Sequence, residues 1–253
     1  LKITFLGTGT SQGVPVIACE CAVCNSMDFR DNRLRTSIHI NSDNLSLVVD
    51  TGPDFRQQVL RERINHLDAV LYTHQHRDHT AGLDEIRSFN FKQNQDIPIY
   101  VRKEVLEQLQ QEFAYIFSDN QYPGLPQVKA NVIDGSPFKI GTTEITPIET
   151  MHYKLPVYGY RILDFAYITD TNFIDESSMN QLKNLEVLVI NALQIEKHIS
   201  HFNLQEALDV IKQLNPKKAY LTHISHKLGS HKKVDADLPE NVFLAHDGLQ
   251  IQL

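Results

Sequence analysis

Residues 73–82 read Thr73-His74-Gln75-His76-Arg77-Asp78-His79-Thr80-Ala81-Gly82. Three imidazoles and one carboxylate fall within six positions, at the end of the short apolar run Ala69–Thr73 that predicts a buried strand. His74 and His76 lie two apart, so in extended chain both point to the same side. Asp78 and His79 fall where the chain turns towards the next helix. Imidazole nitrogen and carboxylate oxygen are the donors that borderline divalent ions take, and the two pairs can begin two adjacent ion sites. A solvated loop with incidental histidines does not account for so dense a pattern behind a buried strand.

The same placement recurs along the chain. Phe165–Thr169 runs into Asp170, and Ala219–Thr222 runs into His223. Polar groups at strand ends are held rigidly while the loops beyond them shape a pocket. Lys2–Leu6 reads as a strand leading into the turn-rich Gly7-Thr8-Gly9-Thr10. Alternation in Ser37–Ile40 and Leu45–Asp50 predicts a hairpin turning around Asn41–Asn44. Helical spacing marks Phe55–Ile64, started by Pro53-Asp54, and Lys103–Phe117, with Tyr122–Gln127 as a proline-interrupted loop. Further strands are predicted at Phe138–Ile140, Glu144–Ile148, Tyr158–Ile162, Val187–Asn191 and Val242–Ala245. Asn203 with Glu206 three residues on reads as a capping box for a helix that stops before Pro216. Strands alternating with helices in both halves predict a layered α/β fold. No repeat, linker or composition break appears, so one domain over 1–253 is expected.

Of 253 residues 42% are hydrophobic, enough for a folded core. The net charge of −7, from 24 basic and 31 acidic residues, argues against a surface built to cover nucleic acid. Apolar runs such as Val187–Ile190 are strand-sized, so no membrane span is expected. Leu1 leads straight into a strand-like stretch without a basic leader, and the expected location is the cytoplasm. The oligomeric state is left open, a homodimer included.

All three cysteines lie in Cys19-Glu20-Cys21-Ala22-Val23-Cys24. An odd, tight cluster fits a metal better than a disulfide framework. Three thiolates converging on a structural zinc need a fourth ligand, and His226, three residues after His223, is preferred over His231.

The His-x-His-x-Asp-His segment resembles the signature of the metallo-β-lactamase superfamily, and the likeness runs over essentially the whole chain. That resemblance implies an αββα sandwich with one or two metals at its strand ends. Leu47-Val48-Val49-Asp50-Thr51-Gly52 is similar to its early strand ending in Asp, Met151-His152-Tyr153 supplies the next His, Tyr167-Ile168-Thr169-Asp170-Thr171 the bridging Asp, and Leu221-Thr222-His223 the last His. By resemblance one ion takes His74, His76 and His152, the other Asp78, His79 and His223, and Asp170 bridges them. Asp50 is expected to orient a liganding His. His39, His66 and His246 match no ligand position and are expected to be ordinary surface or supporting residues.

The cysteine triplet, with Gly7-Thr8-Gly9, Arg35-Thr36-Ser37, Tyr115-Ile116-Phe117, Gly159-Tyr160-Arg161 and Phe165-Ala166-Tyr167, resembles the PhnP-like branch. That branch includes the phosphoribosyl cyclic phosphodiesterase of the carbon–phosphorus lyase pathway, and implies one structural zinc besides two catalytic ions, manganese or zinc. Two ions sharing a water bring its pKa towards neutrality and neutralise phosphate oxygens. His201, in His198-Ile199-Ser200-His201-Phe202-Asn203, corresponds to the branch's non-ligand catalytic His and is expected to act as general acid, with Asp78 also in the catalytic set. His198 is expected to help bind phosphate beside the helix N-terminus at Asn203. The expected activity is hydrolysis of a small cyclic phosphodiester. The runner-up is an RNA 3′-processing endonuclease, but the segment from Asp170 to His201 is too short for that family's RNA-gripping arm. A lactamase or thioesterase ranks lower, since zinc lactamases commonly place Cys where Asp170 stands. A flavodiiron oxidoreductase would place Glu at position 76 and append a flavin domain. A binding module that has lost catalysis would not be expected to keep the whole ligand set.

Overall fold

The computed structural model describes residues 1–42, 45–118 and 122–253. Among the described residues, fourteen strands form two sheets of seven. The chain first lays down β1 (Lys2–Gly7), β2 (Ser37–Ser42), β3 (Leu45–Val49), β4 (Ala69–Leu71), β5 (Ile97–Val101) and β6 (Val128–Val132). It then builds β7 (Phe138–Ile140), β8 (Thr143–His152), β9 (Leu155–Ile162), β10 (Phe165–Ile168), β11 (Val187–Asn191), β12 (Lys218–Thr222) and β13 (Val242–Leu244), and returns with β14 (Gln250–Gln252). The strand orders are β14-β1-β2-β3-β4-β5-β6 and β13-β12-β11-β10-β9-β8-β7. Each sheet joins antiparallel strands to a parallel run, β3 to β6 in one and β10 to β13 in the other.

The side-chain period of two splits each strand between layers. Ile3, Phe5, Ile38, Ile40, Leu47 and Val49 face Ile145, Tyr160, Ile162, Phe165, Tyr167 and Val189 to form the core between the sheets. On the outer face of the first sheet, Val48 and Val70 pack under Phe55, Phe89, Val105 and Leu109 of three helices. On the second, Ala166, Ile168, Leu188 and Ile190 pack under Met179, Ala207, Ile211 and Leu214. The result is the expected αββα order.

Several predicted bounds shift. β2 pairs antiparallel with β3 from Ile38↔Val49 to Ser42↔Leu45, and residues 43 and 44 of the turn expected around Asn41–Asn44 lie outside the described residues. The helix expected over Lys103–Phe117 breaks at Phe113 (φ −117°, ψ 41°) into Lys103–Glu112 and Ala114–Phe117. The strand expected at Glu144–Ile148 runs from Thr143 to His152, because its antiparallel pairing with β9 continues to His152↔Leu155. No described helix is long and apolar enough to cross a membrane.

Candidate active site

Ligand-competent side chains gather where the parallel strands end, the usual site in open α/β sheets. β3 leads into Asp50, β4 into His74, β10 into Asp170 and β12 into His223. Asp50, Asp170 and His223 take left-handed φ values of 65°, 53° and 53°, which turn each side chain sharply off its strand. Non-glycine residues pay on the order of 1 kcal/mol for this conformation, and such residues cluster at functional sites. Gly52 and Gly82 let two turns cross: a Cβ on Gly52 would lie 2.2 Å from the Asp78 carbonyl oxygen, and one on Gly82 would lie 2.3 Å from that of Gly52.

The donor atoms of His74, His76 and His152 lie within 4.8 Å of one another, as do those of Asp78, His79, Asp170 and His223. Asp170 also groups with His152 and His201, so it stands between the two clusters. Each cluster draws members from both sheets. His74 Nε2 and His76 Nδ1 approach to 2.9 Å. Asp170 lies 3.1 Å from His223 Nε2 and 3.2 Å from His79 Nε2, while Asp78 lies 3.3 Å from the latter.

Supporting bonds fix which ring nitrogen faces the centre. Asp50 is fully buried and accepts from the Thr73 backbone N–H, the Thr73 hydroxyl and His79 Nδ1 at 2.8, 2.8 and 2.7 Å. The spent Thr73 hydroxyl in turn accepts from His74 Nδ1 at 2.9 Å. His152 Nδ1 donates to the Ser200 carbonyl at 2.8 Å. These bonds leave the Nε2 atoms of His74, His79 and His152 bare towards the clusters. Thr73 and the Ser200 carbonyl escaped the sequence reading. A polar residue at the end of a buried strand was a usable sign for Thr73, whereas a backbone carbonyl carries no sequence sign.

The electrostatics fit divalent ions. Burial alone would raise Asp170, but His223 and His79 against it hold its carboxyl well below the usual range. Burial opposes charge on His223, yet Asp170 and Asp78 raise it to about 9. The carboxylates thus draw positive charge into a buried place. Among buried side-chain atoms, His79 Nε2, His223 Nε2 and His201 Nδ1 have no hydrogen-bond partner among the described residues. Orphaned nitrogens converging on carboxylates are what metal ligands look like.

His201 lies 3.9 Å from Asp170, stacked on His223, with ring centroids 4.8 Å apart. Burial and the neighbouring His223 push its pKa down to about 2. His198 is exposed, 5.1 Å from the His201 ring. The expected anion site at the helix N-terminus is corrected. Asn203 Oδ1 accepts from Glu206 N, Glu206 returns the bond to Asn203 N, and Leu204 N donates to Gln194 O. The capping carboxylate therefore fills the place a phosphate would take.

The thiols of Cys19, Cys21 and Cys24 lie 3.2, 3.4 and 3.4 Å from His226 Nδ1. Tetrahedral zinc bonded to sulfur and nitrogen separates those ligands by about 3.5 Å, so the four residues fit it. A backbone hydrogen bond from Cys24, then His226, lowers Cys21 to about 6, while burial raises Cys24 to about 11. His231 is not the fourth ligand. It is buried elsewhere, with Nδ1 3.1 Å from Arg33. His39 is also no surface residue, being buried against Ser46 at 2.8 Å.

Residues 46–224 match the beta-lactamase superfamily domain. The chain belongs to the beta-lactamase superfamily. A crystal structure described as a new diphosphatase from the PhnP family is 37% identical, with a TM-score of 0.94 over 100% of this chain and 97% of the other. The expected likeness to that branch is therefore present. An octanoyltransferase of Porphyromonas gingivalis is 37% identical over 253 residues, 99% of this chain and 51% of its own length. The chain thus spans about half of that relative. Zinc-bound PqqB of Methylobacterium extorquens, 17% identical with a TM-score of 0.82 over 100% of both chains, shares the superfamily fold.

Proposed function

We propose that this chain is a metal-dependent phosphoryl hydrolase whose substrate is a small cyclic phosphodiester such as a phosphoribosyl cyclic phosphate. The observation that carries the reading is Asp170, which stands between two ligand clusters with the unbonded His201 beside it. In this reading His74, His76 and His152 hold one divalent ion, Asp78, His79 and His223 hold the other, and Asp170 serves both. Bound there, manganese or zinc ions supply an activated water and neutralise phosphate oxygens. The chain's own residues do the rest. Asp50, Thr73 and the Ser200 carbonyl keep the ligand rings in the right tautomer, Asp78 and Asp170 keep the centre attractive to cations, and His201, neutral in the free site and protonated once the phosphate's negative charge lies beside it, gives a proton to the departing oxygen. His198 is exposed at the rim and contacts the phosphate. Cys19, Cys21, Cys24 and His226 hold a structural zinc apart from this chemistry.

The net charge of −7 favours a small substrate over RNA. A phosphoanhydride is the second reading of the scissile bond, favoured by the diphosphatase description of the PhnP-family relative. Acyl chemistry draws little support from the octanoyltransferase name, since half of that relative lies outside the match. The cytoplasm and a single domain are part of the proposal. The test is hydrolysis of 2′,3′-cyclic AMP and of ADP-ribose by the manganese-loaded chain. Turnover of either that is abolished by chelation supports the reading, and turnover of thioesters alone overturns it.

A further inference from the structure

We propose that Asn172 positions His201, an inference that rests on the acid role given to His201 above. His201 Nδ1 is buried without a hydrogen-bond partner among the described residues, and its ring packs between His152 and His223 with centroids 4.6 and 4.8 Å away. Its place is therefore set by its backbone. Four bonds from outside the loop hold that backbone: Asn172 Nδ2 donates to Ile199 O at 3.2 Å, His152 Nδ1 donates to Ser200 O at 2.8 Å, Phe202 N donates to Thr171 O at 2.7 Å, and Leu193 N donates to Phe202 O at 3.0 Å. One anchor is a proposed metal ligand and two are backbone, which leaves Asn172 as the anchoring side chain outside the proposed ligand set.

The same amide also reaches the other side of the centre. Asn172 Oδ1 accepts from Tyr153 N at 2.7 Å, the residue directly after His152, and Asn172 N donates to Met151 O at 2.9 Å. Tyr153 can only donate there and Ile199 can only accept, so the partners fix which way the amide faces. Asn172 thus joins the hairpin carrying His152 to the loop carrying His201 and sets the distance between metal ligand and proton donor. A shift of about 1 Å in a reacting group can cost roughly a hundredfold in rate.

The experiment compares the manganese-loaded parent with Asn172→Ala, Asn172→Asp, His201→Ala and the double variant Asn172→Ala/His201→Ala. Substrates are 2′,3′-cyclic AMP, which has a poor alkoxide leaving group, and bis-p-nitrophenyl phosphate, which has a good one. Asn172→Ala is expected to lose roughly ten- to a hundredfold in kcat on the cyclic nucleotide, with KM and bound metal unchanged, and little on the nitrophenyl ester. Added to His201→Ala it should cost nothing more, because the group it positions is gone. Amide hydrogen exchange at residues 199–202 should quicken in both Asn172 variants. At Tyr153 it should quicken only in Asn172→Ala, since Asp keeps the acceptor for that N–H. Equal losses on both substrates, additive losses in the double variant, or unchanged exchange at 199–202 would each overturn the proposal. A metal-loaded parent inert towards both substrates overturns the hydrolase reading first, and the positioning role with it.

Discussion

His201 and Asp170 sit 3.9 Å apart and are expected to fail differently when replaced. Asp170→Ala should lose metal and activity together while keeping the circular dichroism of the parent. His201→Ala should keep its metal and lose roughly 10²–10⁴-fold in rate on an alkoxide leaving group, the usual worth of general acid catalysis. Metal analysis of both variants checks this, and metal loss from His201→Ala would make it a ligand instead. A pH effect belongs to His39, which burial and then the Lys2 ammonium push down to about 4. An unfolded His takes up its proton near 6.5, so between pH 6.5 and 4 the unfolded chain binds more protons. Stability is therefore whole above pH 6.5 and falls as pH drops through that window. His39→Gln should flatten the slope of Tm against pH there, and an unchanged slope would mean that His39 is not responsible. At this scale His74, Asp170 and His223 were legible because each closes a short apolar run, His76, Asp78 and His79 because they crowd behind His74, and His152 only through the family resemblance. His39 was not, since its partner Ser46 is reached only across a strand pair.

Turns and caps, more than strands, bring these side chains together. Gly52→Ala cannot be accommodated 2.2 Å from the Asp78 carbonyl oxygen, so the turn carrying Asp78 and His79 must move. The variant should fold but bind its metals more weakly, measured by competition with a chelating dye. Asn203→Ala removes one half of the capping box and should cost about 1 kcal/mol, lowering Tm by roughly 2–4 °C. That box was readable from Asn203 and Glu206 alone, yet its consequence was not: the reciprocal bonds that stabilise the helix also deny its end to an anion. β5 went unread because Pro98 argues against a strand, and it pairs in parallel with both β4 and β6 nonetheless. β6 and the polar β14 bury too little side chain to show an apolar run.

Over the whole molecule, the layer order was legible from the alternation of strand and helix. The pairing of β1 with β14 was not, because it joins segments at opposite ends of the sequence. The cysteine site spans a similar distance, from Cys19 to His226. Cys21→Ser should lower Tm and release zinc, because a structural zinc site contributes folding energy directly; a variant equal to the parent in both would refute the zinc assignment. The clusters around Asp170 split their donors more evenly between the sheets, His74 and His76 against His152, and Asp78 and His79 against Asp170 and His223. Neither half of the fold holds enough donors to retain an ion, so metal uptake amounts to a coincidence check on how the two halves are joined. Anything that binds only the joined form stabilises it by mass action. A chain misassembled between the sheets would stay inert and unloaded, and so could not act as a partly active hydrolase inside a cell.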